Sequence, residues 1–158
     1  MGWTDSHLHQ FEQDGSCWGV PEYDEFGDLE LLDEDTVPIS DVLQVEGDSL
    51  RYLYDFGDSW SHEVVLEKSL PAGDTTPKPV CIAGERRCPP EDVGGPSGYR
   101  EFLEVIFTPG HEEFEHFRAW AGNPIHAEEF NLKAVNAKLS RMRWPVKHRR
   151  SGGEIQDN

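Results

Sequence analysis

The chain has 158 residues with 31 Asp and Glu against 14 Lys and Arg, a formal charge of −17, and 36% hydrophobic residues. That length suits one lean core, and the charge argues against phosphate-backbone binding over most of the chain. No apolar run approaches the roughly 20 residues needed to cross a bilayer, and MGWTDSHLHQF lacks the basic-then-apolar order of a signal peptide, so a cytoplasmic protein is expected. Three cysteines, Cys17, Cys81 and Cys88, are too few for a disulfide framework, leaving thiols or metal ligands.

HLHQFE alternates and predicts a short strand, with His7 and His9 on the same side. Cys17, Trp18 and Val20 predict a second strand, and DLELLDEDT an exposed loop. VPISDVLQ predicts a brief helix with Ser40 as N-cap and Val42, Leu43 and Val45 turned inward. The clearest hairpin joins 50–54 to 59–67 around Asp55-Phe56-Gly57-Asp58, both arms being aromatic or β-branched. SLPAGDTTPKP is a loop, after which 80–83 is expected to add an edge strand before Cys88-Pro89-Pro90.

Three helices are predicted next. Tyr99, Phe102, Leu103 and Ile106 share one helical face behind a Ser97 cap; 111–121 carries Phe114, Phe117 and Trp120 or Ala121; 127–139 carries Phe130, Ala134, Val135 and Leu139. Strands first and helices last give an α+β class: a small antiparallel sheet with a central hairpin, followed by three C-terminal helices. The expected organisation is a single domain over 1–147 with a disordered tail at 148–158.

The charge is uneven. Residues 1–137 hold 29 acidic and 8 basic residues, a formal −21, whereas 138–150 (KLSRMRWPVKHRR) holds six bases and no acid. That basic segment is the one candidate for nucleic-acid contact; it also reads as a partner for the acidic body, a solvated helix end or a disordered extension.

The segments GWTDSHLHQF, YLYDFGDSWSHEVVLE, CIAGERRCPPEDVGGPSGYREFL and AEEFNLKAVNAKL together resemble the plasmid pRiA4b open-reading-frame-three family, in register from about residue 2 to 140. Its members are also labelled TnpR-like or insertion-element passenger proteins. The resemblance implies a small α+β domain and a mobile-element association, and no particular activity. It also implies two strands and a helix ahead of Gly2-Trp3, so the expectation is a domain lacking them because Met1 is a late start. Recombination chemistry is not expected. The first half holds one arginine, Arg51, where a serine recombinase needs several, and no Arg-His-Arg set beside a tyrosine can be assembled.

Asp55, Asp58, Trp60 and His62 in the hairpin, with Glu91 and Asp92 in the CPPEDVGG loop, form the candidate functional surface. His7, His9, Asp58, His62, Cys81 and Cys88 offer imidazole, carboxylate and thiolate, a candidate ligand set for zinc or a similar divalent transition ion. The spacing is against it, since C-x6-C is no zinc knuckle and three distant segments must converge. Structural readings stand beside each: turn-closing Asx bonds for Asp55 and Asp58, packing beside Trp60 for His62, small buried groups for the cysteines, and caps for Glu91 and Asp92. Pairs such as Asp58 with His62, or Cys88 with a histidine, are candidate acid–base or nucleophilic pairs, with no accompanying oxyanion hole or phosphate loop. The leading reading is a non-enzymatic domain that binds a protein partner through the turn and loop. The alternatives are a metal-dependent, hydrolase-like enzyme and a nucleic-acid binder acting through 138–150.

Overall fold

The computed structural model describes residues 2–21, 31–71, 78–122 and 126–142. They fall into two compact units, one within Met1–Leu70 and Arg86–Glu129, the other within Pro71–Glu85 and Phe130–Asn158. The class is α+β: the described residues hold a five-stranded sheet and four α-helices, three of which follow the last strand.

The sheet belongs to the first unit. Its strands are β1 (His9–Gln13), β2 (Ser16–Gly19), β3 (Leu31–Asp33), β4 (Ser49–Tyr54) and β5 (Trp60–Val65), in the order β3-β2-β1-β4-β5. β1 and β2 are joined by Asp14-Gly15, both at positive φ (49° and 82°), the twist a two-residue hairpin requires. β1 pairs antiparallel with β4, and β4 with β5, so the predicted hairpin forms one side of the sheet.

The sheet is mixed rather than wholly antiparallel. β3, expected as exposed loop, pairs parallel with β2 through Cys17↔Leu31 and Trp18↔Leu32. Three residues give no periodicity to read, and Glu30, Asp33 and Glu34 around Leu31-Leu32 mask the strand in composition.

Register sorts the side chains. His9, Phe11, Leu50, Tyr52, Tyr54, Trp60, His62 and Val64 share one face because the side-chain period is two. Their rings pack across strands, Phe11–Tyr52 at 4.9 Å and Tyr52–His62 at 5.5 Å between centroids. Leu50 and Tyr54 on this face are buried and join Leu43, Val93, Phe102, Val105 and Ala127 in the core. The other face carries charge, with Arg51 3.3 Å from Glu12, though Gln10 there is buried and donates its amide to Glu12.

Helix α1 (Ile39–Val42) begins after Pro38, not Ser40, which lies inside it. Helix α2 (Gly95–Phe107) starts earlier than the Ser97 cap predicts: Gly94 holds the cap position, Pro96 occupies the first turn, and Ser97 Oγ donates to the Gly94 carbonyl. Helix α3 (Phe114–Ala121) packs on α2 through Phe102, whose ring meets Phe117 at 5.7 Å and Trp120 at 5.8 Å.

In the second unit, helix α4 (Leu132–Arg141) starts five residues later than predicted, capped by Asn131 Oδ1, which accepts from Ala134 N. Residues 80–83 form no strand. Cys81 N donates to Asn136 Oδ1 (2.8 Å) and its carbonyl accepts from Asn136 Nδ2 (2.9 Å), so a side-chain amide takes the bonds a neighbouring strand would have made. The basic segment is described only to residue 142; the rest of it, and the 148–158 tail, lie outside the described residues.

Candidate functional site

The β4–β5 turn is fixed by its first residue. Asp55 adopts φ 56°, its N–H donates to Leu8 O (2.8 Å), and its Oδ1 accepts from Gly57 N (3.0 Å) and Asp58 N (3.2 Å). This is the Asx arrangement expected for such a turn. Asp58 does not close the turn. Its Oδ2 accepts from Gly94 N at 3.1 Å and so ties the turn to the 88–94 loop. The tie is close: a Cβ at Gly95, which sits at φ 68°, would stand 2.2 Å from the Asp58 carbonyl oxygen, so only glycine fits.

The loop is held over the sheet by residues ahead of β1. Trp3 stacks on Tyr54 (4.8 Å, 16° between planes) while its indole N–H donates to Pro89 O at 3.0 Å. Tyr54 in turn donates its hydroxyl to the Glu91 carboxylate at 3.1 Å. Glu91 Oε1 also accepts from Thr4 N (2.8 Å) and Thr4 Oγ1 (3.2 Å). Glu91 therefore anchors two segments rather than capping the helix that follows.

His7 lies where turn and loop meet. Its Nδ1 is 3.7 Å from Asp55 Oδ2; its Nε2 is 3.2 Å from Asp92 Oδ1 and 4.0 Å from Glu91 Oε2. Asp55 is only 8% exposed, whereas the Asp92 side chain is 72% exposed, so the cluster runs from the protein interior to solvent. Three carboxylates thus converge on one imidazole. Among the described residues, no Lys or Arg lies within ion-pairing distance of them.

The six proposed metal ligands sit in different surroundings. His9 is bracketed by Glu34 (3.1 Å) and Asp5 (3.6 Å). His62 lies on the sheet face with Nδ1 3.2 Å from Tyr52 O and its ring edge-on to Trp3, a packing role. Asp58 is committed to Gly94. Cys81, in the second unit, donates its thiol to Ala83 O at 3.1 Å. Cys88 is half-buried, and burial pushes its thiol up from the ordinary value, away from nucleophilic thiolate. Among the described residues, the one group of three donors close enough to share an ion is His7, Asp55 and Asp92.

Of the candidate surface, Asp55, Asp58, Glu91 and Asp92 come together. Trp60 instead packs between Trp3 (5.4 Å) and Tyr99 (6.3 Å). Residues not singled out from sequence are Trp3, Thr4, Tyr54, Asp5 and Glu34. Tyr54 was within reach of sequence reasoning, since alternation along β4 places it on the face that carries His9. The same crowding acts on Tyr52, whose hydroxyl is pushed up to about 12 by burial and the negative charges of Asp5, Tyr54 and Glu34.

An aromatic sheet face capped by a carboxylate-rich turn and loop defines a small α+β domain with one assembled polar surface. A family model described as plasmid pRiA4b ORF-3-like protein matches residues 1–135, and the chain belongs to that family. Uncharacterized protein y4hQ of Sinorhizobium fredii is 36% identical over 153 residues, covering 95% of this chain and 78% of the relative. A crystal structure of MM3350, a protein of unknown function from Methanosarcina mazei Go1, is similar at 38% identity with a TM-score of 0.73, covering 85% of this chain and 75% of that one. No helix among the described residues is long and apolar enough to cross a membrane.

Proposed function

We propose that this protein is a non-catalytic interaction domain, and that it binds a protein partner through the surface made by the 55–59 turn, the 88–94 loop and His7. The observation that carries the reading is the convergence of Asp55, Glu91, Asp92 and His7 around a turn and loop locked together by the Asp58–Gly94 bond. A rigid, charged, partly open surface meets the need of recognition, because little ordering is required on binding. A hydrolytic reading lacks equivalent support. The Cys88 thiol is biased toward its neutral form, and the imidazole of His62 is taken up by Tyr52 O and ring packing.

The partner is expected to present basic side chains, since among the described residues no Lys or Arg pairs with these carboxylates. The reading is tested by recovering partners from the native host with the wild-type chain and with an Asp55→Asn/Asp92→Asn variant of unchanged circular dichroism. A partner held at least about tenfold more weakly by the variant supports it. A partner held equally by both overturns it.

A further inference from the structure

We propose that residues 80–83 of the second unit form an open docking edge that takes an extended, acidic segment of a partner protein as an added strand. The inference goes beyond the turn-and-loop reading, since it concerns a different unit and a different kind of contact.

The edge is held from one side. Residues 78–85 run without a turn or bend and lie antiparallel along α4. Lys78 Nζ donates to Ser140 O at 3.0 Å, and Cys81 bonds Asn136 through both of its backbone groups. The Phe130 ring packs on Gly84, where a Cβ would stand 2.3 Å from it. In an extended chain the N–H and C=O of one residue point to one side and those of the next residue to the other. With Cys81 turned toward Asn136, the backbone groups of Val80 and Ile82 point away from α4. No described residue bonds them.

The side chains on this edge are open as well, Val80 being 68% exposed and Ile82 85%. Folded proteins cover such an edge or interrupt it with charge, because unpaired backbone groups beside β-branched side chains invite another strand. Here Pro79, which has no N–H, ends the edge on one side, and no charged residue interrupts 80–83. The contacts with α4 fix the frame in advance, so little ordering is needed when a strand is added.

Charge selects the occupant. The described residues of this unit hold Lys78, Lys133, Lys138 and Arg141 against Glu85 alone, the opposite sign to the acid-rich first unit. Lys133, Lys138 and Arg141 make no ion pair among the described residues. A second copy presenting the same edge would bring like charges together, which disfavours self-pairing. An acidic strand with apolar residues at alternate positions would pair the backbone, cover Val80 and Ile82, and meet the basic side chains at once. A phosphate chain would meet the basic side chains but leave the apolar pair uncovered.

The test titrates the full chain, by fluorescence anisotropy, with a short synthetic peptide of alternating valine and glutamate. Its valine–lysine counterpart, the acidic peptide N-methylated throughout, and single-stranded DNA are titrated beside it. Binding of the unmodified acidic peptide alone is expected, weakened about tenfold or more by Ile82→Asp and unchanged by Asp92→Asn in the first unit. Ile82→Pro, which deletes an N–H that no described residue uses, should weaken binding to a similar degree while leaving the circular dichroism spectrum unchanged. No binding of the acidic peptide overturns the proposal. So does equal binding of the lysine or N-methylated peptide, tighter binding of the DNA, or an affinity that Ile82→Asp leaves intact.

Discussion

Gly95→Ala should be one of the most damaging conservative changes in this protein, for reasons that can be separated experimentally. The new methyl would sit 2.2 Å from the Asp58 carbonyl oxygen, where ordinary contact begins near 3.4 Å, so turn and loop must move apart by about an ångström. That movement lengthens the 3.1 Å bond from Gly94 N to Asp58 Oδ2, and a charged bond of this kind contributes about 1.5–3 kcal/mol. Holding alanine at φ 68° costs a further ~1–2 kcal/mol. The sum is about 2.5–5 kcal/mol, or a fall in Tm on the order of 10 °C for a chain of this size. Gly94→Ala is the internal control. It also sits at positive φ (87°), but the nearest atom to its methyl, Gly98 Cα, is 3.5 Å away, so about 1–2 kcal/mol is expected. Denaturant unfolding followed by circular dichroism measures both. Equal destabilisation by the two substitutions would refute the close approach of turn and loop.

Phe102→Ala removes the one ring that links Tyr99, Phe117 and Trp120 at a wholly buried position, and should cost about 3–5 kcal/mol in the same unfolding assay; a loss below ~1 kcal/mol would contradict its central place. Tyr52 should ionise late as pH rises, toward about 12, and Tyr52→Phe should remove that late step from the tyrosinate absorbance titration. Its raised value means the fold favours the neutral hydroxyl. That contribution is complete below pH ~10 and lost as pH climbs toward about 12, and solvent screening of this half-buried group holds it to no more than about 1 kcal/mol. Tyr52→Phe should therefore flatten the alkaline loss of stability, and an unchanged alkaline profile would sink this account.

What the sequence disclosed follows from how local each signal is. The β4–β5 hairpin and the α2 face with Phe102 are written in nearest-neighbour periodicity, and both stand where the pattern puts them. The start of α2 was displaced because a glycine cap and a proline in the first turn outweigh a serine, which then bonds back to the Gly94 carbonyl. The parallel β3 depends on partners far along the chain, and three residues carry no period of their own. At the site, residue type was legible and pairing was not. Asp55, Glu91, Asp92 and His7 were each singled out, but as members of two different sets. They meet because Trp3, stacked on Tyr54 and bonded to Pro89, pins the loop over the sheet, a contact spanning 86 residues that no local pattern encodes. His62 stood out as an imidazole beside the hairpin turn, yet strand parity directs it onto the aromatic face under Trp3.

The most direct test of the binding surface is site-specific photo-cross-linking in the native host, with the photoreactive residue at Asp92 in one protein and at Glu63 in another. Both positions are exposed; Asp92 stands on the turn-and-loop surface and Glu63 on the opposite face of the sheet. A discrete adduct formed from position 92 and absent from position 63 is the predicted result. Adducts from position 63 alone, or from neither, would contradict the assignment of this surface to partner binding.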